Sequence, residues 1–245
     1  MSQVQNRARR VALVTGASKG IGLATCKKLL AENFTVYAVA KDHSAVEISS
    51  DQHLIPIEFD LADVSRIPDL LNEIEAVDVL VNNVGIMHGA PYYDYTQEMR
   101  ERIIALNIEA PLELVKALSE TMIARQSGRI VNNAGLGRSY SEDANDLCQP
   151  DIWFSVCRAS ILQMTKCYAK LLGSHGVRVN VIAPGPSEET LRHFALLENL
   201  EKKPIANQPS PEEIAKTICW LAVEAPEYIN GAQIDVTSGR VVPTH

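Results

Sequence analysis

The stretch Val11-Ala12-Leu13-Val14-Thr15-Gly16-Ala17-Ser18-Lys19-Gly20-Ile21-Gly22 limits the possible folds of this chain more than any other. Its first five residues are apolar or β-branched without interruption, the mark of a strand buried on both faces. Gly16, Gly20 and Gly22 then allow a tight turn and close backbone approach. Ile21, Ala24, Leu29 and Leu30 follow at helical spacing as far as Glu32. A buried strand passing through a glycine turn into a helix opens a parallel α/β sheet. The helix start so formed offers unpaired N–H groups and a positive dipole end to an anion such as a pyrophosphate.

The alternation continues along the chain. Strands are expected at 35–40, 54–59, 77–81, 129–132, 177–182 and 233–236, with Pro56 favouring a sheet edge for the second of these. Helices are expected at 66–75, 97–125, 151–173 and 211–223. The third buries Ile161, Met164, Tyr168, Leu171 and Leu172, and the last opens on Pro211-Glu212-Glu213. This pattern predicts one domain over 1–245: a doubly wound parallel sheet of about seven strands, helices on both faces and right-handed crossovers. Residues 1–10 are polar and expected to fray.

Bulk composition excludes several functions. With 46% hydrophobic and 22% charged residues the chain has ordinary globular character, and its net charge of −7 argues against a nucleic-acid-binding surface. No apolar run is long enough to span a bilayer and no secretion signal is visible, so a cytoplasmic protein without membrane partners is expected. Five cysteines, an odd number with no CxxC pair, point to a reducing compartment and to no metal site. Cys148 and Cys157 fall near the expected active site, but no histidine neighbours them in sequence to activate a thiolate.

The spacing of Gly16, Gly20 and Gly22 is wider than the common dinucleotide fingerprint, and here the chain resembles the short-chain dehydrogenase/reductase family, whose pattern is TGxxxGxG. Other matches fall in order: Asp60-Leu61 for the adenine contact, Asn82-Asn83-Val84-Gly85 for the NNAG element, Asn107 for the active-site asparagine, and Pro184-Gly185 at the nicotinamide end. The resemblance implies a Rossmann-like fold and a nicotinamide cofactor bound by Gly16, Ser18, Lys19, Gly20, Ile21, Gly22, Lys41, Asp60, Leu61, Asn82, Gly85, Arg158, Pro184 and Gly185. Ala40-Lys41, with Lys19, puts cations rather than a carboxylate at the end of the second strand. This favours NADP(H) over NAD(H), tempered by Asp42. The resemblance also implies a homodimer or homotetramer through the helices at 97–125 and 151–173, and a substrate-covering segment at 186–210.

At the catalytic positions the resemblance breaks. The family uses asparagine, serine, tyrosine and lysine. Counting from Gly128-Arg129-Ile130-Val131-Asn132 places the serine position at Gly135, and counting back from Val177-Arg178-Val179-Asn180-Val181 places tyrosine and lysine at Phe154 and Arg158. Phe154 has no exchangeable proton, whereas Arg158 holds its charge and can donate hydrogen bonds. Tyr140, in a long segment containing Arg138, Ser139, Ser141 and Glu142, is a candidate replacement proton donor, against its reading as part of a polar surface loop. His88, with Met87, Tyr92, Tyr93 and Tyr95, is a second candidate acid/base at the strand ends. Tyr37 and Lys41 match YxxxK but lie along a strand. Asn132-Asn133-Ala134-Gly135 repeats the NNAG element and reads as coincidence. Three functions remain open for a small-molecule substrate: conjugate reduction of an α,β-unsaturated carbonyl with NADPH, a non-redox isomerase, lyase or cyclisation catalyst, and a non-catalytic NADP(H)-binding protein.

Overall fold

The computed structural model describes residues 9–43, 51–88, 92–135, 152–185 and 209–237. Its elements are β1 (Arg10–Thr15), α1 (Gly20–Ala31), β2 (Phe34–Ala40), β3 (Leu54–Glu58), α2 (Ile67–Asn72), β4 (Val79–Asn82), α3 (Gln97–Ile104), α4 (Ala110–Arg125), β5 (Gly128–Asn133), α5 (Ile152–Leu172), β6 (Val177–Pro184), α6 (Pro211–Cys219) and β7 (Gln233–Val236). The seven strands form one parallel sheet in the order β3-β2-β1-β4-β5-β6-β7. The strand order reverses between β1 and β4, which opens a crevice at the carboxyl ends of both, the usual ligand position in such sheets.

The period-two geometry of β1 accounts for the two cores. Val11 and Leu13 face one side with α2, α4 and the end of α5, through Ile67, Leu70, Leu114, Val115, Met122 and Leu172. Ala12 and Val14 face the other side with α1 and α6, through Cys26, Leu29, Ile214 and Ile218. Both faces are covered, so the strands read as continuous apolar runs rather than alternating ones. Pro56 lies in β3 at the sheet edge, as its missing N–H requires. Ser210 and Glu213 close a reciprocal capping box at the start of α6.

The structure departs from the sequence expectations in several places. The long helix expected at 97–125 is two helices joined by a π-helical turn, Ala105–Glu109. Pro111, in the first turn of α4, cannot donate to the preceding turn, and the wider π turn absorbs that break. The helix expected to end at Val223 finishes as α6 at Cys219, followed by a second π turn, Trp220–Glu224. The helix at 66–75 is shorter, a 3-10 turn (Val64–Arg66) leading into α2. β4 begins at Val79 rather than Val77, because the Asp78 carboxylate is engaged by the Val11 N–H and Arg125. Leu171 is not on the buried face of α5: it is 64% exposed, and Ile161, Met164, Thr165, Ala169 and Leu172 carry the inward stripe. Among the described residues no helix is long and apolar enough to cross a membrane.

Phe34, fully buried at the start of β2, carries the Arg10 guanidinium 4.3 Å above its ring. Phe34→Ala is expected to cost about 3–5 kcal/mol by equilibrium urea unfolding, because the cavity left between α1 and β2 cannot collapse fully.

Candidate active site

At the carboxyl edge of the sheet, β1 and β4 are joined by side chains. The Thr15 hydroxyl accepts from the backbone N–H groups of Asn83 and Val84, at 2.9 and 3.0 Å. The Asn83 side-chain amide donates to the carbonyls of Thr15 and Gly16, at 3.0 and 3.2 Å. Gly16 holds a left-handed φ of +63°, and a Cβ on Gly22 would lie 2.1 Å from the Gly16 carbonyl oxygen. Glycine is therefore required at both positions by backbone conformation and by the closeness of α1 to the turn. α1 starts at Gly20 with no acidic residue in its first turn, leaving its N-terminus electropositive. Ser18, Lys19, Gly20 and Ile21 line this entrance, with Gly22 buried behind them.

Next to β2 and β3, Asp60 gathers two cations. Arg102 of α3 donates to both of its carboxylate oxygens, at 3.0 and 3.2 Å, and the Lys41 ammonium lies 3.3 Å away. The Ala62 N–H adds a fourth contact at 3.1 Å. Burial works to raise the Asp60 pKa, but these donors outweigh it and hold it below the ordinary carboxylate range. Leu61 is buried beside it. The role of Arg102 was not visible in the sequence, because 42 residues separate it from Asp60. Lys41, read from sequence as one of two available cations, is already paired.

The second NNAG element is not a coincidence. In the parallel register Asn132 stands beside Asn82, and the Asn82 amide donates to the Asn132 side-chain oxygen at 2.9 Å. Asn132 in turn donates to Thr165 of α5 at 2.8 Å. One residue on, the Asn133 amide donates to the Asn83 side-chain oxygen at 2.9 Å, and the Gly135 N–H donates to Asn133 at 3.0 Å. Two matching asparagine pairs on neighbouring strands thus hold the ends of β4 and β5 in place and anchor α5.

Gly135, Phe154 and Arg158 come together above this platform. Arg158 is nine-tenths buried, its guanidinium 4.6 Å over the Phe154 ring, with Nη1 donating to the Asn133 carbonyl at 2.8 Å. Its Nε has no partner among the described residues. A Cβ on Gly135 would lie 3.6 Å from that Nε, and one on Gly85 would lie 2.3 Å from Nη2 and 2.7 Å from the Asn107 side-chain oxygen. Burial pushes the Arg158 pKa down to about 10, which still leaves it charged at neutral pH. Asn107 sits in the π turn between α3 and α4. Its amide donates to the carbonyls of Ile86 and Ile103, and its buried oxygen has no partner among the described residues.

Pro184 ends β6 and the Gly185 N–H donates to the Val236 carbonyl at 3.0 Å, so these residues border the same edge. His88 stands edge-on to Tyr95 with ring centroids 5.7 Å apart, and its buried Nε2 has no partner among the described residues. Cys157 is buried on α5 with its Sγ 4.0 Å from the Ile103 carbonyl. Burial pushes the thiols of Cys26 and Cys219, between α1 and α6, up to about 12. Tyr37 lies buried within β2, away from this edge. Tyr140, Cys148 and the segment 186–208 lie outside the described residues.

Comparison with known proteins agrees with this architecture. The short chain dehydrogenase model matches residues 10–194, and the chain belongs to that family. It is 33% identical over 251 residues to a 3-oxoacyl-[acyl-carrier-protein] reductase of Synechocystis sp., covering 95% of this chain and 97% of the relative. It is 31% identical to a galactitol 2-dehydrogenase of Agrobacterium fabrum, covering 94% and 97% of the two chains. A crystal structure of a short chain dehydrogenase/reductase family oxidoreductase from Burkholderia thailandensis superposes with a TM-score of 0.80 at 28% identity, covering 94% and 92%.

The depressed pKa of Asp60 links this site to stability. Its contribution is present above the unfolded-state carboxylate pKa and is lost as pH falls through the lower folded value. Asp60→Asn is expected to lower stability by less than about 1 kcal/mol at pH 7, because the pair is partly solvent-screened. Denaturant midpoints of the two proteins should converge once the pH has fallen through the lowered folded value of Asp60.

Proposed function

We propose that this chain is an NADPH-dependent oxidoreductase that reduces the carbon–carbon double bond of an α,β-unsaturated carbonyl compound. In this reading the family's serine, tyrosine and lysine positions are held by Gly135, Phe154 and Arg158. The observation that carries it is the buried Arg158 guanidinium, with an Nε on the Gly135 side that has no partner among the described residues, at the same sheet edge as the tight turn where Gly16 and Gly22 leave no room for a side chain. The chain retains what a dinucleotide needs and holds a fixed cation where proton exchange would be expected.

The residues present fit the cofactor. The Gly16–Gly22 turn and the first amides of α1 would hold the pyrophosphate, with Ser18, Lys19 and Ile21 at its rim. Asp60 and Leu61 would border the adenine, and Lys41 the ribose 2′-phosphate. Arg102 remains on Asp60, so Lys41 can turn to a phosphate without leaving the carboxylate alone. Asn82, Gly85, Pro184 and Gly185 would frame the nicotinamide end, with Arg158 close to its ribose. When bound, NADPH supplies a hydride.

The chain's own groups would do the rest. Arg158, charged at neutral pH, cannot serve as the acid but stabilises negative charge developing on a carbonyl oxygen. The unpartnered Asn107 oxygen is suited to hold a water whose proton completes the reaction. Delivery to the far carbon makes a phenol dispensable. Reduction of a simple ketone without such a donor loses about 10²- to 10⁴-fold in rate. Tyr140 is a second candidate donor. Ile152, Val156 and Leu171, exposed on α5, support a cytoplasmic homodimer or homotetramer through α4 and α5.

Fluorescence titration with NADPH and NADH tests the cofactor assignment. NADPH is expected to bind about tenfold more tightly, from one charge-assisted phosphate contact, and Lys41→Glu to reverse the order. Affinity for neither nucleotide would overturn the redox reading.

A further inference from the structure

Arg158 is a buried cation with no counter-charge among the described residues. Among the described residues no carboxylate lies within ion-pair distance of it, although Arg102, Arg125 and Arg178 all reach one. Its bonding partners are a backbone carbonyl and an aromatic face, the Asn133 oxygen at Nη1 and the Phe154 ring below. Neither carries a formal charge, so the cost of removing a guanidinium from water is only partly offset. A second buried group at the same place, the Asn107 oxygen, is also unpartnered.

The direction of the unpartnered edge narrows the ligand. Nη1 is committed to β5. Nε and Nη2 form the opposite edge of the planar guanidinium, with Nε on the Gly135 side, 3.6 Å from where a Cβ of that residue would lie, and Nη2 against Gly85. Two parallel N–H donors on one edge match the two oxygens of a carboxylate, and a lysine ammonium cannot reproduce that fork. Gly135 contributes by having no side chain. Its left-handed φ of +59° favours glycine, since a larger residue would be strained and would bring its Cβ into contact with Nε.

We propose that the Nε–Nη2 edge of Arg158 receives a substrate carboxylate, so that this site takes carbonyl compounds that are themselves small organic acids, in preference to their neutral counterparts. The inference rests on the proposed reading of the site as a carbonyl pocket and adds the charge of the substrate to it. The carboxylate supplies a counter-charge that none of the described residues supplies, and the guanidinium fixes the position of the acid, its remaining Nη hydrogens left to the carbonyl oxygen and the Asn107 oxygen left to the water that donates the proton.

The test is isothermal titration of the wild-type protein with 4-oxopentanoate and, separately, with its methyl ester. The acid is expected to bind about ten- to a hundredfold more tightly, the range of a charge-assisted pair. Arg158→Met should abolish the preference, and Arg158→Lys should keep part of it. Equal binding of acid and ester to the wild type would overturn the proposal, as would a preference that survives in Arg158→Met, which would place the anion on surface lysines. The wild-type comparison decides the matter even if a variant fails to fold. NADPH oxidation with cyclohex-2-enone and with the unsaturated acid 4-oxopent-2-enoate is followed in parallel. Turnover of either with equal binding of 4-oxopentanoate and its ester would sink this inference and leave the proposed function standing. Preference for the acid with neither enone oxidising the nicotinamide would do the reverse.

Discussion

The hydrogen bonds among Thr15, Asn83 and Asn133 are the constraint on which the rest of the site depends. Parallel strands hold one another through their backbone ladders only as far as the ladder runs. Beyond it the chain ends diverge, and loops that must carry function need another source of order. Here side-chain amides supply it. Asn83 bonds back to the glycine turn after β1, Asn133 bonds to Asn83, and the Gly135 N–H bonds to Asn133. Three carboxyl ends are thereby fixed relative to one another, and with them the positions of Gly16, Gly85 and Gly135. Each of these bonds is worth only about 1 kcal/mol net, but leaving one buried partner unsatisfied costs more, and this makes the arrangement cooperative.

The buried guanidinium takes its meaning from that platform. Arg158 bonds to the carbonyl of Asn133, the same residue that joins β5 to β4, so its position follows from the strand ends rather than from a flexible side chain. Phe154, one turn earlier on α5, supports the guanidinium face. An arginine at this position cannot be an acid at neutral pH, but it can hold an anionic oxygen. In the proposed function, Gly135, Phe154 and Arg158 fit one another as a site that stabilises charge rather than transfers a proton.

Much of the fold was legible because buried parallel strands are written as unbroken apolar runs. β7 was read to the residue and β1 to within one, and Pro56 placed β3 at the edge. Helix interiors were read less well. The π turn at Ala105–Glu109 follows from the single residue Pro111, and apolar periodicity passes straight through it. The exposure of Leu171 shows the same limit, since one residue along a helix turns a side chain by about 100°. At the site, the glycine turn was legible from local spacing, whereas the Arg102–Asp60 pair and the matched asparagines on β4 and β5 were not. Their partners are brought together by strand order and register, which no local pattern encodes. The repeated Asn-Asn in β5 was the available signal, and it becomes informative only once β4 and β5 are known to be neighbours.

The central claim is that this site keeps a nicotinamide donor and directs its hydride to a carbon remote from the carbonyl oxygen, with charge held by Arg158. The most direct measurement is the position of the label after incubation of cyclohex-2-enone with NADPH deuterated at nicotinamide C4, read by NMR of the product. The account predicts cyclohexanone carrying deuterium at C3. Deuterium on the carbinol carbon of cyclohex-2-enol would contradict it.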